Sequence, residues 1–198
     1  MSRNLIKNPK RQKELSLKVA ITGHTKGIGK AVFDSLTAKG HTVKGFSKST
    51  GYPLPESIDK LVSEILDYDV FINNTYWGFA QALILDHLLV HWADVPNKRI
   101  ICMGSTSADL VVTPYPLYTA AKKALETLCH LSQSKRVWPL ITNLKLGMVD
   151  THRMEGNKEM KLSTKDVSSI VHWLLALPPH LAVPEIVLKN REQLPVIG

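Results

Sequence analysis

Apolar and polar positions follow two alternating periods along the chain, and these predict strands and helices in turn. Short apolar runs typical of buried strands are separated by stretches in which apolar residues recur every three or four positions, as on one face of a helix. The predicted strands cover residues 17–22, 41–47, 69–74, 98–105, 139–147 and 184–189. The predicted helices run from the glycines after the first strand to Lys39 and then cover residues 56–66, 80–92, 118–136 and 164–177.

Regular alternation of strands and helices is typical of a doubly wound α/β fold, in which helices cover both faces of a parallel sheet. The 198 residues suit one domain of this kind. We therefore expect a single Rossmann-like domain over residues 17–198, preceded by a basic tail over residues 1–16. Ligands of such sheets bind outside the carboxyl ends of the strands, so the residues that follow each strand are candidates for chemistry.

A glycine-rich turn, "TGHTKGIG", follows the first strand. Gly23, Gly27 and Gly29 lie directly before a helical pattern. Glycine permits positive φ and close approach of a ligand, and the N-terminus of the following helix attracts anions. The turn therefore predicts a phosphate-bearing cofactor, although a glycine turn at this place can also serve packing alone.

The second strand leads into "FSKST", and there is no acidic residue from His41 to Thr50. A dinucleotide-binding domain usually places an acid here for the ribose hydroxyls, or a basic residue for a 2′-phosphate. Ser47, Lys48 and Lys26 offer hydroxyl and positive charge, which favours NADP over NAD. The alternative is a solvated turn that happens to be basic.

Tyr118 and Lys122 are four residues apart in the predicted helix 118–136, so their side chains share a face. A nearby ammonium favours the phenolate and lowers the pKa of a tyrosine from its usual value of about 10. Tyr118 is therefore a usable proton donor or acceptor near neutral pH. Ser105 ends the preceding predicted strand, thirteen residues earlier.

Five short segments occur along the chain in this order: "TGHTKGIG", "NNTYWG", "ICMGS", "YTAAK" and "LGMVDT". Their order and nearly their separations resemble those of the short-chain dehydrogenase/reductase family, and the resemblance covers about residues 17–190. The resemblance implies that Tyr118 protonates a carbonyl oxygen as hydride arrives from a nicotinamide. It implies that Ser105 hydrogen-bonds that oxygen, and that Lys122 holds the ribose and lowers the pKa of Tyr118. We thus expect an NADPH-dependent reductase of a small ketone or aldehyde.

The resemblance also implies which residues bind the cofactor, with the glycines on its pyrophosphate and Thr151 on the nicotinamide carboxamide. The full set is Gly23, Thr25, Lys26, Gly27, Ile28, Gly29, Ser47, Lys48, Asn73, Asn74, Tyr118, Lys122, Val149 and Thr151. The adjacent asparagines can fix the shape of the cleft by hydrogen bonds to backbone, although a simple turn is the alternative. We expect the substrate to be surrounded by Tyr76, Trp77, Tyr115, Met148 and Met154.

Several positions depart from the family pattern. A further catalytic asparagine, which would align near Thr75, is missing, and Leu146 stands where proline is usual. The third strand of the family is reduced to "GYPLP", and the segment "HRMEGNKEMKLS" after Thr151 makes a short lid. The missing asparagine motivates an alternative hypothesis, a cofactor-binding regulatory or sensing protein with little or no turnover.

Composition limits the partners. The chain has 25 Lys and Arg against 17 Asp and Glu, which gives a formal charge of +8. The sequence lacks the cysteine and histidine spacing of a zinc site, and the basic tail has no aromatic residues between its basic ones. We therefore do not expect nucleic-acid binding. His87 and His91 are four apart without a glutamate between them, and we expect no metal. In the family, the helices 80–92 and 118–136 form interfaces, which implies a homodimer or homotetramer.

Cysteine use and hydropathy bear on location. Cys102 and Cys129 fall in a strand-like run and a helical pattern, which predicts two buried thiols rather than a disulfide. Apolar stretches of the roughly 18 residues needed to span a bilayer are missing, and the polar, basic start has no apolar signal core. We therefore expect a cytoplasmic protein without membrane association.

Overall fold

The apolar runs pair into a six-stranded sheet in the computed structural model, which describes residues 16–133, 139–151 and 161–194. Every strand pair is parallel, and the spatial order is β2-β1-β3-β4-β5-β6. The predicted strands are confirmed to within one residue at each end. Their bounds are β1 (Lys18–Thr22), β2 (Thr42–Phe46), β3 (Val70–Asn73), β4 (Arg99–Ser105), β5 (Leu140–Leu146) and β6 (Glu185–Leu188).

Helices cover both faces of this sheet, as predicted. Two apolar clusters separate the faces: α1 and α5 pack on one side, and α2, α3 and α4 on the other. Pro116 opens α4, a position that suits proline because the first N–H of a helix has no partner within the helix. The bounds are α1 (Gly27–Ala38), α2 (Ile58–Ile65), α3 (Ala80–Trp92), α4 (Pro116–Gln133) and α5 (Thr164–Ala176).

The strand order reverses between β1 and β3. β2 lies on one side of β1, whereas β3 to β6 lie on the other. At such a switch point the loops after the two central strands diverge and leave a crevice at their carboxyl ends, where ligands bind. The glycine turn after β1 and the segment after β3 meet at this place.

The segment "GYPLP", to which the third strand of the family is reduced, forms no strand. In the part of the chain that the structure describes, a 3-10 helix (Lys48–Thr50) and turns occupy this region, and β2 is an edge of the sheet. Pro53 and Pro55 lack the N–H groups that a sheet ladder needs. Tyr52 is buried instead, with its ring edge-to-face against Phe46 at 4.9 Å between centroids.

The interior confirms that the two cysteines are buried thiols and shows how α3 packs on the sheet. Cys102 and Cys129 are both buried and free. Leu85 and Trp92 of α3 are fully buried against the sheet, and Leu89 packs at the edge of the same cluster. Within the described residues, no helix is both long and apolar enough to cross a membrane.

Candidate active site

Two of the three glycines after β1 are required by the packing of the protein itself. Gly23 has φ +70°, and a Cβ at this position would overlap the hydroxyl of Thr75. A Cβ at Gly29 would overlap the carbonyl oxygen of Gly23 and lie 2.6 Å from Nδ2 of Asn74. These two residues therefore allow α1 to pack closely against the ends of β1 and β3, which is the packing role that the turn left open.

Gly27 and the start of α1 form a different environment. Gly27 has φ +57°, and among the described residues a Cβ there would meet only the side chain of Thr151, at 3.5 Å. Lys26 precedes the helix without a side-chain capping bond, and the first turn of α1 carries no acidic residue. The first N–H groups of α1 thus keep their positive potential beside the exposed Thr25 and Lys26. This end of α1 fits the diphosphate of a dinucleotide.

The paired asparagines fix the shape of the crevice, as expected. Asn74 donates from Nδ2 to the carbonyl oxygen of Thr22 at 2.9 Å, and its backbone N–H donates to the Thr22 hydroxyl at 2.9 Å. Asn73 is fully buried and donates from Nδ2 to the carbonyl oxygen of Gln81 at 2.8 Å. Asn73 therefore positions the segment after β3, and its assignment to a cofactor site stays a prediction.

Lys122 and Tyr118 come together as their spacing predicts. Lys122 is buried, and its ammonium donates to Oε1 of Gln81 and to the carbonyl oxygen of Met103, both at 2.7 Å. The ammonium lies 5.7 Å from the ring centroid of Tyr118 and 5.9 Å from that of Tyr76. The two rings are edge-to-face at 4.9 Å. One buried cation thus faces two phenol rings.

Ser105 ends β4 two residues after the carbonyl that anchors Lys122. Its side chain is nearly buried, and Oγ accepts a hydrogen bond from the backbone N–H of Ser107 at 3.1 Å. Because Oγ acts as the acceptor in that bond, its hydrogen is the atom that it can offer to a substrate oxygen. β4 therefore carries both Ser105 and one of the two acceptors that position Lys122.

A buried ion-pair network supports this region from β5. Nζ of Lys145 contacts Oδ1 of Asp109 at 2.7 Å and Oε1 of Glu126 at 3.1 Å. Burial by itself lowers the pKa of Lys145, but the hydrogen bonds to Asp109 and Glu126 outweigh burial and raise it above its usual value. The charged lysine ties α4 to the 3-10 helix (Thr106–Asp109) that follows Ser105.

The end of β2 holds the residues expected to select the cofactor. Ser47 uses its hydroxyl locally, 2.9 Å from Oγ of Ser49, and its backbone N–H donates to Oγ1 of Thr50 at 2.9 Å. Lys48 is exposed at the start of the 3-10 helix. The assignment of both residues to the cofactor stays a prediction.

The segment after β5 lies across the crevice from the glycine turn. Val149 is buried, and residues 148–150 pair with Leu162 through backbone bonds of 2.7 and 2.9 Å. This pairing holds Thr151 beside Gly27. Met154 and residues 152–160 of the expected lid lie outside the described residues.

Of the residues expected to surround the substrate, only some lie close to Tyr118 in the described part of the chain. Tyr76 contacts the ring of Tyr118, whereas Trp77 and Tyr115 are 61% and 70% exposed. Trp77 and Tyr115 therefore lie at the rim of the crevice. Their contact with a substrate stays a prediction, as does that of the half-buried Met148.

His87 and His91 of α3 lie exposed at the protein surface. His87 lies with Nδ1 3.1 Å from Oδ1 of Asp59 on α2. Elsewhere, Glu126, His130 and Glu185 bring one ligand atom each within 4.8 Å of one another. Lys145 already contacts Glu126, so a protein cation balances the charge of that cluster.

No protein-family model matches the sequence, and neither does any curated protein. Solved structures do match. Serine dehydrogenase in its closed form with NADP+ superposes with a TM-score of 0.73 at 17% identity, over 91% of this chain and 97% of that chain. The 3-alpha-hydroxysteroid dehydrogenase from Pseudomonas sp. B-0831 with NADH gives 0.67 at 16% identity, over 86% and 94%. A short chain dehydrogenase/reductase family protein gives 0.69 at 16% identity, over 88% and 96%.

The chain has the short-chain dehydrogenase/reductase fold. These matches confirm the doubly wound fold and the family resemblance at the level of the backbone. The short-chain dehydrogenase/reductase fold is formed here without a strand at "GYPLP" in the described residues.

One residue of this candidate site escaped prediction. Gln81, in the first turn of α3, is buried and contacts Lys122 directly. Thr75 is the residue near which the further asparagine of the family would align, and its side chain lies against Gly23. The available signal was an amide inside the apolar segment "FAQALIL", just after two asparagines.

Proposed function

We propose that the protein is an NADP(H)-dependent oxidoreductase that reduces a small ketone or aldehyde by hydride transfer. The observation that carries this proposal is the buried Lys122 ammonium beneath the Tyr118 ring, at the carboxyl edge of the sheet. The N-terminus of α1 beside it suits a diphosphate. Solved structures of the same fold that contain NADP+ or NADH support a nicotinamide cofactor.

Tyr118 is the proton donor in this proposal. Reduced nicotinamide, when bound, supplies a hydride to the carbonyl carbon. Tyr118 gives the proton of its Oη to the carbonyl oxygen, and the hydroxyl of Ser105 donates a hydrogen bond to the same oxygen. The Lys122 ammonium stabilises the phenolate that remains on Tyr118. In the reverse direction the same phenolate removes the proton of an alcohol.

Charge favours NADP(H) over NAD(H). Lys26 directly precedes the first residue of α1, and Lys48 follows the last residue of β2. Both side chains are exposed at the crevice. Two cations at this place suit the 2′-phosphate of NADP(H), and the segment 41–50 has no acid for the ribose hydroxyls of NAD(H).

Replacing Tyr118 with Phe tests the proton donor. Consumption of NADPH is measured with a panel of small ketones and aldehydes, and NADPH affinity is measured by fluorescence titration. We expect Tyr118→Phe to lower turnover at least about 100-fold, because the proton donor is lost. The affinity for NADPH should change less than about threefold. Tyr68→Phe makes the same change away from the crevice and serves as the control.

The same measurements discriminate between two functions. Retained turnover in Tyr118→Phe would contradict the proposed mechanism. Tight NADPH binding by the unaltered protein, with no turnover on any carbonyl of the panel, would favour a cofactor-binding regulatory or sensing protein. The observation that motivates this second function is that threonine stands at position 75, near which the family's further asparagine would align, and that Thr75 lies against Gly23.

A further inference from the structure

Gln81 makes more contacts within the site than its position on an apolar helix suggests. Its Oε1 accepts from Nζ of Lys122 at 2.7 Å. Its Nε2 donates to the carbonyl oxygen of Asn73 at 2.7 Å and lies 3.4 Å from that of Met103. The side chain is buried and so bridges α3, β3, β4 and α4.

These contacts leave the Gln81 amide one orientation. Its nitrogen faces two backbone carbonyl oxygens, which only accept hydrogen bonds, so the oxygen must face Lys122, which only donates. A buried amide with unmatched donors or acceptors is costly, and the reversed orientation would mismatch both ends. The oxygen is therefore held toward the ammonium.

The Lys122 ammonium is in turn held between two fixed acceptors. Gln81 Oε1 lies on one side and the Met103 carbonyl oxygen on the other, each at 2.7 Å. Among the described residues, its titratable neighbours include the phenols of Tyr76, after β3, and Tyr118, on α4 itself. Because Gln81 is neutral, it holds the lysine without cancelling the positive charge that acts on those phenols.

We propose that Gln81 is a positioning residue of the reaction, which sets the Lys122 ammonium against Tyr118 and preserves its full charge there. This inference builds on the proposed function, in which Tyr118 donates the proton. It assigns to an amide of α3 the task of fixing the lysine.

Gln81→Glu tests the electrostatic half of this role. The carboxylate keeps the size of the side chain and the bond to Lys122. It loses the two bonds that Nε2 donates to the carbonyl oxygens of Asn73 and Met103, and its negative charge opposes the effect of the ammonium on Tyr118. We expect the pH midpoint of Tyr118 ionisation to rise by about one unit. The ionisation is read as the phenolate absorbance that disappears on Tyr118→Phe in the same background, so the readout does not require turnover.

Gln81→Met tests the positioning half. Methionine fills the volume but cannot accept from Lys122, so we expect kcat to fall about tenfold, with an upward shift of the pH profile. Gln133 provides the matched control, because its Nε2 also donates to two backbone carbonyls, those of Ile141 (3.1 Å) and Pro184 (2.7 Å). Gln133→Met and Gln133→Glu should leave Tyr118 ionisation and the pH profile unchanged.

The outcomes separate this inference from the proposed function. An unchanged Tyr118 ionisation in folded Gln81→Glu overturns the role of Gln81, even where Tyr118→Phe abolishes turnover. A shifted ionisation together with no turnover in the unaltered protein supports the role of Gln81 toward Lys122 and overturns the reductase. Near-ultraviolet circular dichroism verifies that each variant is folded, and if Gln81→Met fails to fold, Gln81→Glu decides.

Discussion

Lys48 is the single residue on which we expect cofactor preference to depend most. It is exposed at the carboxyl end of β2, and its charge is not paired within the 3-10 helix that it begins. Lys48→Glu replaces an attraction to the 2′-phosphate with a repulsion. We expect the Kd of NADPH to rise about tenfold or more, which is roughly 1.4 kcal/mol, while the Kd of NADH changes little. Titration of both nucleotides by tryptophan fluorescence measures the two constants.

Lys39→Glu controls for the general effect of two units of charge. Lys39 is exposed at the opposite end of α1, away from the crevice. Its replacement should change the affinities for NADPH and NADH to a similar, small extent, because screening weakens distant surface charges. An equal loss of NADPH affinity in both variants would contradict a specific role for Lys48.

The sequence predicts some residues of the site much better than others. Tyr118 and Lys122 were predictable because four-residue spacing on one helix places them together without knowledge of the tertiary fold. Gln81 was not, because its partners come from β3, β4 and α4, and their proximity depends on sheet order and helix packing. The roles of Gly23 and Gly29 in packing likewise depend on Thr75 and Asn74, which are distant in sequence.

Among the helices, α5 has the most clearly defined start. Oγ of Ser163 accepts from the N–H of Asp166 at 3.1 Å, and Oδ2 of Asp166 accepts from the Ser163 N–H at 2.8 Å. This reciprocal capping satisfies groups that the helix itself leaves unpaired. Ser163→Ala should lower the free energy of unfolding by about 1 kcal/mol at neutral pH, and the melting temperature should fall by about 2–4 °C. Thermal unfolding followed by circular dichroism measures this loss.

The effect of Ser163→Ala should depend on pH. Hydrogen bonds from the side chain and backbone of Ser163 lower the pKa of Asp166. The folded pKa is thus below the unfolded value of about 3.9, so the ionised carboxylate stabilises the fold above that value and loses its contribution as pH falls through the folded pKa. The difference in the free energy of unfolding between Ser163→Ala and the unaltered protein should become smaller below about pH 3.9. Ser169→Ala, on the exposed side of α5, should cost nothing at either pH.

At the scale of elements, local pattern determined most of the fold. Strand bounds followed from apolar runs, and α3 spans the residues predicted for it because its apolar segment of 13 residues is too long for a typical strand. The segment "GYPLP", where the family has a further strand, forms none here, and its conformation depends on long-range packing. Tyr52 packs against Phe46, and its neighbouring prolines cannot join the sheet.

At the scale of the whole molecule, α3 and α4 carry large apolar side chains that the isolated chain leaves exposed. Leu83 and Val90 of α3 are 45% and 76% exposed although the opposite side of the helix is buried in the core. Leu117 and Leu131 are likewise exposed on α4, which packs beside α3. Neighbouring exposed apolar side chains often mark a surface that another protein covers. We therefore predict that a second copy of the chain covers these faces, in a homodimer or homotetramer.

Leu83→Glu tests this assembly, because a buried carboxylate at the interface would face apolar side chains without a partner. Sedimentation should show a dimer or tetramer for the unaltered protein and mainly monomer for Leu83→Glu at the same concentration. Leu181 is equally exposed, at 45%, but lies outside α3 and α4, so Leu181→Glu should leave the assembly intact. A monomeric unaltered protein, or equal dissociation by both substitutions, would contradict an interface at α3 and α4. Because α4 also carries Tyr118 and Lys122, loss of assembly should loosen the site, and Leu83→Glu should lower turnover more than Leu181→Glu does.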